Sequence, residues 1–259
     1  TLSARAAGIP GLVRGLVAVH RAHGRLPLKL VMAPAISLAQ DGFTVSTRFH
    51  EQVQMGQVDF NPAARAVFLT PEGSAPAVGS RFRQEDLAWT LKAISRTDGE
   101  AFYTGEVARR LVAAVNDEGG IWSLADLAGY TVKKRAPVRG AYRGYDVVSM
   151  GPPSSGGLLL VQMLAVFERL SVLPYGSAAY FHRMVEITKR AFAMRAKGLG
   201  DPDYFQVDRE AFVGPETVTR VLGEVRAAKD ATAAADIGEL VVRPEERTDT
   251  SHLGVLMAN

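Results

Sequence analysis

The residues best suited to carry out a reaction form the run Asp249-Thr250-Ser251-His252, close to the end of this 259-residue sequence. Thr250 and His252 would face the same side of a β-strand, because side chains on a strand alternate between its two faces. Taken alone, such a pair is typical of an ordinary strand start. The surroundings are more informative: the polar stretch 231–249 has the composition of an exposed linker, and a short apolar stretch follows the run.

A threonine placed where an exposed linker meets a strand has the layout of an autoprocessing threonine hydrolase. The Thr250 hydroxyl would attack the carbonyl carbon of Asp249, an N-to-O acyl shift would give an ester, and water would release it. The α-amine freed by this cleavage can then act as general base, because its pKa of about 7.7–8.0 leaves part of it neutral at working pH. We therefore predict Thr250 as the catalytic residue, the Asp249–Thr250 bond as the self-cleavage site, and Ser251 and His252 as supporting residues.

A second distinctive feature is the loop Gly151-Pro152-Pro153-Ser154-Ser155-Gly156-Gly157, which precedes a predicted helix. Backbone N–H groups at a helix start attract anions, so direct ligand contact is one reading of this loop. It is not a P-loop, because no Gly-Lys-Ser/Thr follows. We favour a structural role in which the glycines permit close packing.

Metal and cofactor chemistry receives little support from the sequence. His20 and His23 have a spacing that a metal site can use, but no carboxylate is placed as an obvious third ligand. A polar helix end accounts for both histidines. The chain contains no cysteine, which excludes disulfides, thiolate catalysis and cysteine-based zinc sites. We predict no metal and no cofactor.

The charge balance argues against a nucleic-acid partner. The sequence contains 30 basic and 27 acidic residues, a small excess of positive charge. The densest basic cluster is interrupted by proline and glycine, and it lacks the series of aromatic residues that single-strand binders use. The members of this basic cluster are Lys133, Lys134, Arg135, Arg139 and Arg143. No apolar run approaches the roughly 20 residues of a membrane span. We therefore predict neither nucleic-acid binding nor a membrane span in this piece.

Apolar residues at helical spacing predict a mostly helical chain with one β-rich region. The predicted helices lie near residues 12–23, 46–59, 84–95, 105–118, 123–126, 158–170, 177–198 and 214–230. A further helix is predicted in which Pro34 is an early residue. The β-forming residues between 130 and 150 predict two strands joined near Arg139-Gly140, or one bent strand. A further strand is predicted to begin at Thr250.

Four stretches, distributed over nearly the whole chain, form a recognisable pattern. They are Gly8-Ile9-Pro10-Gly11 through Asp41-Gly42-Phe43; Ala101-Phe102-Tyr103-Thr104-Gly105-Glu106 through Asp126-Leu127; Tyr142-Arg143-Gly144-Tyr145 leading to Pro152-Pro153-Ser154-Ser155-Gly156-Gly157; and Gly200-Asp201-Pro202-Asp203 followed by Asp249-Thr250-Ser251-His252. In order and spacing, these stretches resemble the gamma-glutamyltransferases, also called glutathione hydrolases. The Pro-Pro-Ser-Ser-Gly-Gly and Asp-Thr-Ser-His runs are the most specific of them.

The resemblance implies an α+β fold, the four-layer αββα sandwich of the N-terminal nucleophile hydrolases. This chain would supply mostly the helical large-subunit part. Residues 1–249 would be the C-terminal portion of the large subunit and residues 250–259 the first strand of the small subunit. The two would form a single composite domain that is incomplete at both ends. The subunits would arise from one precursor by cleavage before Thr250.

The resemblance also implies an activity. γ-Glutamyl amides, such as glutathione, would be cleaved through an ester on Thr250 that passes to water or to an amino-acid or peptide acceptor. The contacts to the γ-glutamyl group would lie outside this chain. The family usually has Thr-Thr-His at the junction, so Ser251 is a departure that keeps the hydroxyl. Many relatives are periplasmic or secreted.

Two alternatives remain open. A cephalosporin acylase or a polyglutamate-processing transpeptidase of the same superfamily would share the mechanism and differ in the acyl group. A processing-defective, non-catalytic relative would instead act as a binding or scaffold protein.

Overall fold

The computed structural model describes residues 4–237 of the chain, which divides into two compact units between Lys133 and Lys134. The predicted site residues Asp249, Thr250, Ser251 and His252 lie outside the described residues, as does the predicted boundary between residues 249 and 250. That boundary and the strand beginning at Thr250 therefore stay predictions.

The first unit is almost entirely helical within the described residues. Its helices are α1 Leu12–His23, α2 Leu28–Asp41, α3 Thr47–Gly56, α4 Pro62–Phe68, α5 Glu85–Arg96, α6 Glu100–Tyr103, α7 Glu106–Asp117 and α8 Leu124–Ala128. Two short strands, β1 Phe43–Thr44 and β2 Arg81–Phe82, pair antiparallel with Phe43 opposite Phe82. Short 3₁₀ turns span Ala4–Ala6 and Gln57–Asp59.

The core of the first unit is built around Tyr103, whose side chain is fully buried. Its hydroxyl donates to the Pro10 carbonyl at 2.8 Å and accepts from the Arg14 backbone N–H at 3.0 Å. Burial raises the pKa of Tyr103, so this hydroxyl stays a donor. The bonds tie the turn that starts α1 to the end of α6. Ala108 and Leu127 complete the buried cluster.

The second unit combines one hairpin with helices. Its elements are β3 Val138–Tyr142, β4 Tyr145–Ser149, α9 Gly156–Glu168, α10 Ala178–Gly198, α11 Glu210–Val213, α12 Pro215–Ala227 and α13 Ala234–Ile237. The hairpin is antiparallel, with Val138 opposite Ser149 and Tyr142 opposite Tyr145.

Helix α9 is the centre of the second unit, because it packs against β3, α10, α11 and α12. It carries an almost continuous apolar sequence, which is typical of a helix buried on most sides. One cluster of buried residues joins α9, α10 and α12, and a second joins α9 to β3 and α11. The first comprises Val166, Ile187, Val218, Val221, Leu222 and Val225.

The hairpin turn differs from its prediction. The turn was predicted near Arg139-Gly140, whereas these residues lie within β3 and the chain turns at Arg143-Gly144. Both turn residues have positive φ, 51° and 84°, the combination that a two-residue hairpin turn requires. Gly140 instead allows close packing, since a Cβ there would lie 2.6 Å from Val161 Cγ1 on α9.

Pro34 also occupies a different place from the one predicted. It was expected early in its helix, but α2 begins at Leu28 and Pro34 lies inside it. The residues from Leu28 to Ala33 are mostly good helix formers, so the helix starts before the proline despite its missing N–H. The short helices α4, α6, α11 and α13 were not predicted, because segments of four to seven residues show too little periodicity. Helix α13 lies in the stretch that was predicted to be an exposed linker. The five-residue helix α8 was predicted from its capping residue Ser123 instead.

Most of the predicted helices are confirmed by the structure. Helices α1, α3, α5, α7, α8, α9, α10 and α12 coincide with predicted segments. The described residues are thus helix-rich with few strands, as expected of a helical large-subunit part. No helix in the described part of the chain is both long enough and apolar enough to cross a membrane.

Candidate functional site

The described residue range includes the first part of the predicted linker, residues 231–237, which leads toward Thr250. Within it, Thr232 is the best-anchored residue. Its backbone N–H donates to Glu186 Oε1 at 3.0 Å and its hydroxyl donates to Glu186 Oε2 at 2.6 Å. Its carbonyl accepts from Lys189 Nζ at 2.7 Å. We call Glu186, Lys189 and Thr232 the Thr232 anchor.

Glu186 is the centre of this anchor, and its side chain is fully buried. Burial acts to raise the pKa of Glu186, but hydrogen bonds from Thr232, Arg190 and Lys189 outweigh it and lower the pKa from 4.5 to about 2. The carboxyl is therefore an ionised acceptor at neutral pH. A buried charge of this kind is tolerated only because it is paired and hydrogen-bonded.

Arg190 supplies the main countercharge. Its Nη1 lies 2.6 Å from Glu186 Oε2 and its Nε lies 3.0 Å from Glu224 Oε2, so the guanidinium bridges α10 and α12. Arg220 adds an ion pair to Glu224 at 2.8 Å. The bridge ties α10, which contacts the first part of the linker, to α12.

An open pocket of about 400 Å³ lies beside the Thr232 anchor within the second unit. Basic and acidic side chains both line it, so its character is polar and mixed in charge. The lining residues are Arg190, Ala193, Met194, Lys197, Arg220, Glu224, Thr232, Asp236 and Ile237.

The Thr232 anchor has the chemistry of a structural contact. An activated nucleophile needs a neighbouring base that can take up its proton. The Thr232 hydroxyl donates a hydrogen bond to Glu186, a carboxylate whose lowered pKa makes it a weak base. Its hydroxyl is consequently held in place and is not activated.

The loop 151–157 supports the packing role that its sequence favoured. A Cβ at Gly157 would lie 2.1 Å from the Met150 carbonyl oxygen, and a Cβ at Gly151 would lie 2.6 Å from the Ala136 carbonyl oxygen. Both approaches are closer than a side chain permits. Ser155 accepts a hydrogen bond from Arg195 Nε at 3.1 Å, which ties the loop to α10.

Three of the described histidines form hydrogen bonds with backbone carbonyls. His20 donates to the Leu26 carbonyl at 2.8 Å, His50 to the Pro76 carbonyl at 2.8 Å, and His182 to the Ala228 carbonyl at 3.0 Å. Each of these ring nitrogens must carry a proton, since a carbonyl can only accept. Over residues 4–237, no group of three or more histidine and acidic side chains is arranged to hold a metal ion.

Two arginines of the basic cluster, Arg135 and Arg143, form contacts within the second unit. Arg135 lies 3.0 Å from Asp203 and 3.5 Å from Asp201, in the Gly-Asp-Pro-Asp stretch. Arg143 stacks over the Tyr142 ring at 5.2 Å, and its backbone N–H donates to Glu168 at 2.9 Å. These contacts favour a role in holding the second unit together.

Sequence reasoning missed the buried charges of α10. Glu186, Lys189 and Arg190 have the i, i+3 and i, i+4 spacing of helix ion pairs, which was a visible signal. That spacing is usually found on a solvated helix face. The partners Thr232 and Glu224 are distant in sequence, so burial could not be read from α10 alone.

The comparison with known proteins covers the whole chain. The profile of the family described as Gamma-glutamyltranspeptidase matches residues 1–259. The Glutathione hydrolase proenzyme of Escherichia coli (strain K12) is 33% identical over 256 residues, which are 97% of this chain and 44% of that protein. The Acylase ACY 1 proenzyme of Pseudomonas sp. (strain SE83) is 34% identical over 260 residues, which are 98% of this chain and 45% of that protein.

A solved structure agrees with the sequence comparison. The gamma-glutamyltranspeptidase of Helicobacter pylori superposes with a TM-score of 0.85 at 32% identity, over 94% of this chain and 71% of that one. The predicted fold class is thereby confirmed, with this chain as the helical part. The chain spans less than half the length of the two curated relatives.

Proposed function

Because this chain belongs to the gamma-glutamyltranspeptidase family, we propose that it is part of an autoprocessing threonine hydrolase that transfers γ-glutamyl groups. Thr250 is the proposed nucleophile and the Asp249–Thr250 bond the proposed cleavage site. Residues 1–249 would then belong to the large subunit, and residues 250–259 would open the small subunit of the same precursor.

One observation carries this proposal. The family profile extends through residue 259, so the match includes the run Asp249-Thr250-Ser251-His252. The name of the Escherichia coli relative, a proenzyme, supports a precursor that is processed.

The self-cleavage step needs no reagent other than water. Thr250 Oγ attacks the carbonyl carbon of Asp249, the peptide C–N bond breaks, and the Thr250 nitrogen becomes a free amine while an ester forms on Oγ. Water then hydrolyses the ester. The products are the Asp249 carboxylate and a Thr250 that carries both a hydroxyl and an α-amine.

Turnover uses the two groups that cleavage leaves on Thr250. The neutral α-amine takes the proton of Oγ, which attacks the γ-carbonyl carbon of the substrate. The leaving amine departs with a proton, and a γ-glutamyl ester remains on Thr250. Water or the amine of an acceptor amino acid then breaks this ester and restores the hydroxyl. Ser251 and His252 are proposed to support the nucleophile from the same strand.

The acyl group is proposed to be γ-glutamyl, as in glutathione. The acylase relative is similar over the same share of the chain, so the acyl specificity needs a direct test. A kinetic panel of γ-glutamyl, glutaryl-cephalosporin and polyglutamate substrates provides it. We expect the highest kcat/KM for the γ-glutamyl compound. A higher kcat/KM for either of the other two substrates would be compatible with the same mechanism but would show that the acyl group is not γ-glutamyl.

Substitution of Thr250 tests the assignment of the nucleophile. We expect Thr250→Ala to abolish both self-cleavage and turnover, because no hydroxyl remains to form the ester. Thr250→Ser keeps a hydroxyl and should retain cleavage at a reduced rate. Fragments are read on a denaturing gel of the full-length precursor.

Thr248→Ala is the matched control, since it removes a hydroxyl two residues before the junction and should cleave as the wild type does. Two subunits from the Thr250→Ala precursor would show that another residue is the nucleophile. A wild-type precursor that stays intact without activity would favour the non-catalytic alternative.

A further inference from the structure

Another pocket, of about 390 Å³, opens beside the hairpin turn in the second unit. Its walls come from that turn, the second half of α9, the loop between α9 and α10, and the start of α10. Among the described residues, it shares no lining residue with the polar pocket beside the Thr232 anchor. Its volume lies within the range of cavities that bind small organic molecules.

Aromatic and aliphatic side chains form most of the wall of this pocket. Phe167 comes from α9, Tyr180 from α10 and Tyr175 from the loop between these helices, and we call the cavity that they line the aromatic pocket. The Tyr175 and Tyr180 rings lie 5.3 Å apart between centroids, with an angle of 59° between their planes. Tyr175 is 88% exposed, so its ring has free surface to offer a ligand. A ring that enters the pocket would meet aromatic faces and edges, which attract other aromatic rings.

Two arginines bring positive charge to the same pocket. Arg183 Nη1 donates to the Ser171 carbonyl at 2.6 Å, and Arg143 stacks over the Tyr142 ring at 5.2 Å. Neither guanidinium forms an ion pair with a carboxylate of the described residues, whereas Arg190 in the same unit forms two. A guanidinium has five N–H donors, so the bond to Ser171 leaves most of those on Arg183 available.

Glu168, at the end of α9, contacts the hairpin turn without neutralising these charges. Its Oε1 accepts a hydrogen bond from the Arg143 backbone N–H at 2.9 Å. Glu168 does not line the pocket, whose charged lining residues are Arg143 and Arg183. The pocket therefore combines an apolar, aromatic interior with a net positive charge.

We propose that the aromatic pocket binds a small aromatic carboxylate, whose ring packs against Phe167 and Tyr180 and whose carboxylate pairs with Arg143 and Arg183. A carboxylate matches the planar fork of donors on a guanidinium. An aromatic ring buries a large apolar area and fits the tilted rings of the wall. A ligand that lacks either group leaves the arginines or the apolar wall without a partner. The site involves neither Thr250 nor self-cleavage, so it is independent of the proposed function.

The experiment titrates 3-phenylpropionate against the full-length protein and follows binding by ligand-observed NMR. We expect a dissociation constant of roughly 0.1–1 mM, as suits a ligand of this size. Two matched probes separate the ring from the charge. 3-Phenylpropionamide keeps the ring and loses the charge, whereas butyrate keeps the charge and replaces the ring by a methyl group. Each should bind at least about fivefold more weakly than 3-phenylpropionate.

Variants of the pocket assign the binding to these residues. Arg183→Met removes one guanidinium, and we expect it to weaken 3-phenylpropionate binding roughly fivefold while the affinity for the amide stays within about twofold of wild type. Tyr180→Leu removes one ring and should weaken the binding of both ring-bearing probes. Arg195→Met is the matched control, because Arg195 lies on the same helix and donates one hydrogen bond to Ser155, outside the pocket. It should bind all probes as the wild type does.

Three results would overturn the proposal. The first is binding of 3-phenylpropionate that is no tighter than that of the amide or of butyrate. The second is wild-type affinity for 3-phenylpropionate in Arg183→Met or in Tyr180→Leu. The third is an equal loss of both ring-bearing probes in Arg183→Met, which would show that Arg183 holds the Ser171 loop and not the carboxylate. None of these results changes the assignment of Thr250.

Discussion

Glu186 is the residue whose charge state matters most in the second unit. It is fully buried, and its partners Lys189, Arg190 and Thr232 surround it from α10 and from the chain after α12. Glu224 on α12 shares the Arg190 guanidinium with Glu186. Because the pKa of Glu186 is lowered to about 2, its ionised form stabilises the folded chain.

This shift predicts a specific pH dependence. A lowered folded-state pKa stabilises the protein above the unfolded value of 4.5, and that stabilisation is lost as the pH falls toward about 2. Glu186→Gln cannot titrate, and it leaves Arg190 with half of its countercharge. We expect it to lower the free energy of unfolding by roughly 3 kcal/mol at pH 7. Thermal melts should show the gap to wild type closing between about pH 5 and pH 2.

Glu106→Gln provides the matched control at the surface. Hydrogen bonds from Arg110 and Arg109 lower the pKa of Glu106 as well, but this carboxyl is exposed and solvent screens its ion pairs. Little change in melting temperature is expected at any pH. A pH-independent gap for Glu186→Gln would show that packing, and not charge, explains its effect.

At the residue scale, the sequence suggests a candidate nucleophile but does not reveal the buried charges that hold the second unit together. Thr250 stands out because its type and its place after a linker match one mechanism. Glu186 does not stand out, because an acidic residue at i, i+3 and i, i+4 from basic ones looks like a solvated helix face. Its burial depends on Thr232, 46 residues away in the chain, and such a contact is not encoded in a local pattern.

At the element scale, the start of α9 depends on two adjacent glycines with different surroundings. A Cβ at Gly157 would lie 2.1 Å from the Met150 carbonyl oxygen, which is backbone and cannot swing away. A Cβ at Gly156 would make only an ordinary contact, with Ser154 Oγ at 3.9 Å. Substituting each of the two glycines with alanine therefore separates the effect of close packing from the effect of helix propensity.

Gly157→Ala should destabilise the protein by about 1–3 kcal/mol, because overpacking forces the backbone to move. Gly156→Ala should be neutral, or stabilise by up to about 1 kcal/mol, because alanine favours a helix more than glycine does. Urea unfolding of both variants measures the difference. Equal stability of the two variants would contradict the packing role of Gly157.

Long elements were predictable and the connections between them were less so. Helices such as α5, α7 and α10 carry enough apolar positions for the period of 3.6 to stand out. The hairpin turn was placed wrongly because Arg139-Gly140 and Arg143-Gly144 are the same dipeptide, and only the latter adopts positive φ at both positions. Contact with Val161 on α9, which is a tertiary feature, decides between them.

At the scale of the whole molecule, each unit has its own buried core within the described residues. The family was recognisable from motifs placed along the sequence, and the match over residues 1–259 confirms it. The four-layer arrangement could not be built from this chain alone, because the described residues contribute only two two-stranded sheets.

The central claim is that backbone cleavage before Thr250 creates the catalytic amine. Intact-mass spectrometry of freshly purified full-length protein tests it most directly, with a γ-glutamyl anilide assay on the same sample. We expect two polypeptides whose masses place the cut between Asp249 and Thr250, and activity that rises as the precursor disappears. A single uncut chain that turns over the anilide, or an active pair cut elsewhere, would contradict it.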